Sequence, residues 1–470
     1  MMRRMKLRKL ILYLLLTILS GLGVFSLATG APSVTVWLSF FAPLCYLVYL
    51  LIVDYPEIAF ALFLTAGVYK ADSRLSGIQQ FVDLTVLFAI LSLLGVFYGV
   101  FISKRIKVFV PPLRMLLPYV GLFVLSAISL IYTLSPLYGT DKFLRFSTIT
   151  TIAFLLPLYL FQNQKSIDRF FLSFIGLGLA MFLDIVSGGL KPNDLGFETA
   201  FGSNYLAVGR ICGNALIMAF FYFLPESKDA FHRFSYIAVS CAMMFAIFVS
   251  GGRGPVIATF VSMIIVLIVM STKIVIEASK NNMSVKKVDL SIIRSIGSFF
   301  ILAIVVIFLF QDFFKTFLVR MQLLIEGLGT SALNRLAKFA AALSAMTTFP
   351  VTIVGLGIGG FQMYYNGFDA LRGDYPHNIF LEVGSELGLV GLMCLLLLVF
   401  YTFKTAFNEL RKAHSSVSYL LAVTALALFL NMVFNSSISG DINDNRLLFT
   451  WIGTVFSIRY MIPRRGGPLV

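Results

Sequence analysis

The chain has 470 residues, 59% of them apolar and only 13% charged, with Lys and Arg exceeding Asp and Glu by 15. That balance excludes a soluble globular domain. The basic excess is spread between apolar runs of about 20 residues, so contact with anionic lipid headgroups explains it better than nucleic-acid binding.

In chain order, hydropathy predicts about 14 spans. They cover 10–29, 34–53, 57–70, 81–102, 114–134, 143–161, 170–188, 204–224, 233–250, 254–272, 292–310, 378–403, 417–437 and 447–462. The runs lack the alternation of barrel strands, so the predicted fold is an all-α, polytopic integral membrane protein. The basic start of the first run resembles a signal peptide, but its apolar part is long enough to stay as a helix. The third run is short for a crossing and reads as tilted or re-entrant. Cys45, Cys212, Cys241 and Cys394 all fall inside apolar runs without metal-like spacing, which predicts small core residues.

With the N-terminus inside, about 24 of the 37 Lys and Arg fall on the cytoplasmic side, among them Arg3, Lys104, Arg169, Lys228, Lys287, Lys404, Arg411 and Arg465. The longest external segment is then 311–377, which carries VGLGIGGF at 354–361 and ends at His377. His232 and His414 fall inside, leaving His377 as the only external histidine. External basic residues are scarce. Arg253 stands in SGGRG at the junction of two spans, Arg335 in SALNRLAKF, and Arg210 in the first turns of a span.

The stretch 375–393, YPHNIFLEVGSELGLVGLM, places Glu382 and Glu386 in an apolar helix, where carboxylates are costly. Asp374 reads as the helix cap and Pro376 as a first-turn residue. His377 then meets the positive end of the helix dipole, which favours a neutral imidazole. At 100° per residue, Gly384 and Gly388 lie under His377 as a smooth strip, while the two glutamates point away and pair with buried polar groups elsewhere. Each feature has a plainer explanation: a snorkelling arginine, a structural histidine, packing glycines. One titratable base and several guanidinium groups on one face nonetheless suit a substrate with an anionic and a hydroxylic end.

The order Arg253-Gly254, Arg335, FPVTIVGLGIGGF (349–361), His377-Asn378 and ELGLVGL (386–392) resembles the bacterial O-antigen ligase/polymerase family over about 200–470. The resemblance implies N-terminal helices over 1–200 and a catalytic region over 201–470, a GT-C-like membrane glycosyltransferase of about 12 helices. It implies a glycan taken from a polyprenyl (undecaprenyl) diphosphate carrier on the outer face of the bacterial inner membrane and passed to an acceptor hydroxyl. The product is a growing O-antigen or exopolysaccharide chain; the alternatives are ligation to lipid A–core or protein, and a flippase for the same lipid-linked glycan.

In that scheme His377 is the base, Arg253, Arg335 and Arg210 clamp the diphosphate, and an acidic contributor is carried over to Asp441 or, equally, Asp444. A reading with a catalytic carboxylate would shift weight to Asp312 or Asp441. No metal or cofactor is expected. The implied partners are the lipid-linked donor, a lipid-linked or lipid A–core acceptor, membrane lipids and a chain-length regulator.

Overall fold

A computed structural model describes residues 33–75, 82–188, 199–280 and 330–461, apart from 76, 372 and 414, with isolated positions in 17–29, at 77 and in 297–327. The predicted spans 10–29 and 292–310, Asp312 and His414 fall outside the described residues. The described residues are helical and contain no strand. This is an all-α, multi-pass membrane protein.

Among the described residues, eight helices are long and apolar enough to cross a membrane: α3 (Leu84–Ile102), α5 (Pro136–Leu160), α6 (Gln164–Ser187), α7 (Tyr205–Glu226), α8 (Ala230–Val249), α9 (Arg253–Ser271), α11 (Ile379–Lys412) and α12 (Ser416–Ser439). Two shorter helices, α4 (Leu113–Ser129) and α13 (Arg446–Met461), match the predicted runs 114–134 and 447–462. The runs 34–53 and 57–70 form α1 (Ser39–Asp54) and α2 (Pro56–Tyr69), which meet at a bend of 105°. Pro56 sits at the turn, where it starts α2 but cannot continue α1. The pair is a broken span or re-entrant loop, in keeping with a third run too short to cross by itself. Helix α10 (Thr330–Thr347) belongs to the long connection before α11.

Residues from both sides of position 200 enter one buried core. In lipid, this core is held by close packing rather than by release of water. An aromatic cluster shows how: Phe60 of α2 stacks on Phe170 of α6 at 5.4 Å, and Phe170 meets Trp451 of α13 edge-on at 6.0 Å. Cys212 is buried as expected, whereas Cys45 is exposed on the bundle's outer surface and is no core residue.

Chain direction sets one common end for the start of α7, the end of α8, the starts of α9 and α11, the end of α12 and the start of α13. The opposite end carries Lys228, Arg233, Arg411, Lys412 and Arg459.

Candidate active site

The site assembles at that common end, around the last turn of α12. The final carbonyls of a helix have no partner within it and carry the negative end of its dipole. Two predicted arginines meet them there: Arg335 donates from Nη1 to the Ile438 carbonyl at 3.4 Å, and Arg210 from Nη2 to the Ser439 carbonyl. The Arg253-Gly254 pair joins the same point, since a side chain at Gly254 would touch Ile438 at 3.3 Å. Arg253 lies within electrostatic range of Arg335. Two arginines 125 positions apart thus meet the last two residues of α12, and a third, Arg253, stands beside them.

His377 lies beside them. Asn378, not Asp374, caps α11: its Oδ1 accepts from the Phe380 and Leu381 amides at 2.9 and 3.2 Å. Pro376 consequently precedes the helix and is not in its first turn. Asp374 is instead held by Lys338 Nζ at 2.6 Å and by Asn366 Nδ2 at 3.1 Å, which ties the segment to α10. These partners hold its carboxylate below the ordinary range although burial alone would raise it. His377 has φ +59°, a left-handed backbone that few non-glycine residues adopt. Such a conformation is held only when the surroundings over-determine it, and it concentrates at functional sites. Its ring packs 4.2 Å from that of Tyr375, and its Nδ1 is buried without a hydrogen-bond partner among the described residues. Burial, followed by the charges of Lys338 and Arg335, lowers its pKa to about 4. The imidazole is therefore neutral at pH 7, through desolvation and positive neighbours more than through the helix dipole.

The acidic turn between α12 and α13 closes the site. Asp441 Oδ1 accepts from the Asp444 amide at 3.0 Å, and Asp444 faces Arg446 Nη2 at 3.5 Å. Burial and the neighbouring Asp444 raise Asp441 to about 6. Between this turn, α2 and α7 lies a cavity of ≈ 260 Å³, lined on its polar side by Asn204, Arg210, Tyr375, Asp441, Asp444 and Arg446.

The two glutamates turn away from His377 to Lys142 of α5. Lys142 is fully buried; its Nζ meets Glu386 Oε2 at 2.6 Å and also bonds Glu382 Oε1. The Oε2 atoms of both carboxylates also hold backbone. Glu382 Oε2 accepts from the Ile442 amide in the acidic turn, and Glu386 Oε2 from the Gly359 amide in the glycine run, each at 2.9 Å. Sequence reading missed Lys142 because the predicted span begins at 143, which makes the lysine look like a boundary residue. The usable signal was the glutamate pair itself, since two carboxylates buried in a helix require a cation.

The glycine strip also differs from its prediction. Gly388 has φ +67° and breaks α11, so the helical phase does not run on beneath His377. The carbonyls released at the break, on Ser385 and Glu386, accept from Leu356 and Gly357 at 2.9 Å each. A side chain at Gly388 would stand 2.1 Å from the Ile353 carbonyl oxygen, and one at Gly355 2.1 Å from that of Glu386. The glycines exist so that two backbones can touch. The other side of the run is held by the loop after α4, where Ser129 Oγ accepts from Ile358 and Thr133 Oγ1 donates back to it.

Residues 238–396 match the family model described as O-antigen ligase. That stretch is an O-antigen ligase family domain. The match includes Arg253, Arg335, His377 and the glutamate pair, and excludes Arg210, Asp441, Arg446 and Lys142. Among curated proteins, none matches the chain. The O-antigen ligase domain supplies the base candidate and two guanidinium groups, and helices outside it supply the third arginine, the acidic turn and the buried lysine.

Proposed function

We propose that the chain is a glycosyltransferase of the O-antigen ligase/polymerase type that transfers a glycan from a polyprenyl diphosphate to an acceptor hydroxyl on the outer face of the inner membrane. The observation that carries this reading is the convergence of Arg210, Arg253 and Arg335 beside a neutral, hydrogen-bond-deficient His377. Guanidinium groups neutralise a departing diphosphate through forked hydrogen bonds without requiring a metal. Clustering of these charges at one end of the bundle supports a transferase over a transporter, which needs a midplane site open to each face in turn. The basic residues at the opposite end support an outward-facing site.

In this reading His377 takes the proton of the acceptor hydroxyl as its oxygen attacks the anomeric carbon. The carbon–oxygen bond to the diphosphate breaks, the electron pair leaves with the polyprenyl diphosphate, and displacement from the opposite face inverts the anomeric centre. A histidine with a pKa near 4 is a weak base in the free protein. Donor binding changes that, because the diphosphate offsets the Lys338, Arg335 and Arg210 charges that hold the imidazole neutral.

Chain polymerisation onto a second lipid-linked repeat is our reading of the acceptor, in keeping with the many-span bundle. The description of the matching family favours the other activity, ligation of a finished chain to lipid A–core or protein. Incubating purified protein with a glycan-bearing polyprenyl diphosphate separates them. A ladder from the donor alone is the expected polymerase result, one-step transfer only to an added acceptor means a ligase, and absence of transfer from either defeats the proposal.

A further inference from the structure

The cavity beneath the acidic turn has the wrong charge for a phosphate. Arg210 and Arg446 line it together with Asp441 and Asp444, so its formal charges cancel, and a diphosphate placed there would meet two carboxylates. Arg446 is already engaged by Asp444 and by the Phe63 carbonyl at 3.2 Å. Its lining combines donors and acceptors with apolar residues, among them Leu64, Val68 and Leu447. Donors and acceptors mixed with apolar surface suit a polyol ring, whose hydroxyls do both and whose C–H face is apolar. At ≈ 260 Å³ the cavity is smaller than the ~300–1,000 Å³ of pockets for drug-sized ligands, a size for one ring. Arg210, which lines the cavity, also has a buried Nε with no hydrogen-bond partner among the described residues, so its guanidinium is not fully engaged by the Ser439 carbonyl. Tyr375 forms the wall on the side of His377, so a ring in the cavity would sit one aromatic ring from the base candidate.

We propose that this cavity is a sugar subsite, holding a single pyranose-type ring of the glycan between Arg210, Asp441, Asp444 and Arg446, separate from the phosphate position at Arg253 and Arg335. The proposal rests on the glycosyltransferase reading above and narrows it: the diphosphate is left to Arg253 and Arg335, and Arg210, held by the carbonyl of Ser439, turns to the ring. The ring comes from the donor or from the acceptor, and the two give different results.

The test uses the full chain in lipid nanodiscs, with two binding probes: undecaprenyl diphosphate without sugar, and the same lipid bearing the glycan of the producing cells. Transfer kinetics supply the acceptor arm. Arg446→Gln and Asp444→Asn are the variants; Asp444 is exposed, so its substitution spares the fold. If the donor ring fills the cavity, both variants weaken binding of the glycan-bearing lipid by about tenfold and leave the sugar-free lipid unchanged. If the acceptor ring fills it, donor binding is unchanged and the KM for acceptor rises by about tenfold. Equal weakening of both lipids by the variants would make the cavity a phosphate site, and no change in any of the three measurements would make it no site; either overturns the proposal. Failure of the unmodified protein to bind either lipid would count against the glycosyltransferase reading itself.

Discussion

Two polar clusters lie close together in this protein, and they are built on opposite principles. Around Lys142 the charges are fully buried and paired with each other: one ammonium spans two carboxylates, whose Oε2 atoms also hold the Ile442 and Gly359 amides, while Glu386 Oε1 has no hydrogen-bond partner among the described residues. Around His377 they are half-buried and incompletely satisfied. The imidazole and Arg210 each leave a buried nitrogen unpaired, and the arginines rest on helix-end carbonyls. A cluster whose opposite charges contact one another directly fixes geometry, while an imidazole among the cations Lys338, Arg335 and Arg210 retains capacity for an anionic ligand. The first holds the glycine run and the acidic turn at fixed positions relative to each other.

Substitutions in each cluster should therefore fail differently. His377→Ala is expected to lower transfer by about 10²–10⁴-fold while the purified protein still binds donor, the range for losing a general base. A stable, fully active variant would remove the base role. Lys142→Met leaves two carboxylates facing each other without a cation. It should cost about 3–5 kcal/mol, visible as a lower thermal unfolding temperature in detergent, with activity lost through misfolding. Retention of the wild-type melting temperature with selective loss of transfer would move Lys142 into the chemical cluster.

Arg335→Gln and Arg253→Gln should each raise the donor concentration needed for half-maximal rate by about 10–100-fold, in line with one charge-assisted hydrogen bond of ~1.5–3 kcal/mol. A variant at either position that works at full rate on limiting donor is not part of the clamp. A smaller effect concerns pH. With its pKa lowered to about 4 in the free protein, His377 gains its proton only as pH falls through that value. The acid limb of kcat/KM should thus fall near pH 4, and that of kcat, which reports the donor complex, at higher pH. Coincident limbs near the ordinary histidine value of about 6.5 would contradict the electrostatic account.

Helix positions were legible because apolar length alone marks a span, and most described helices lie within a few residues of the predicted runs. The grouping of His377 with Arg210, Arg253 and Arg335 at one end of the bundle was legible for a related reason, that ionisable residues are scarce there. Three features were not. Lys142 lies more than 200 positions from its glutamates, and nothing local distinguishes it from a boundary lysine. Gly388 reads as one of many packing glycines until the Ile353 carbonyl is seen to touch it. Asp374 and Asn378 are both good caps, and only the path of the chain through His377 selects Asn378. The 105° bend between α1 and α2 was visible only as a run too short to cross.

Donor binding and transfer measured together on purified His377→Ala test the central claim most directly. The account predicts donor bound with near wild-type affinity and no glycan ladder or transfer product. Transfer at the wild-type rate would contradict it.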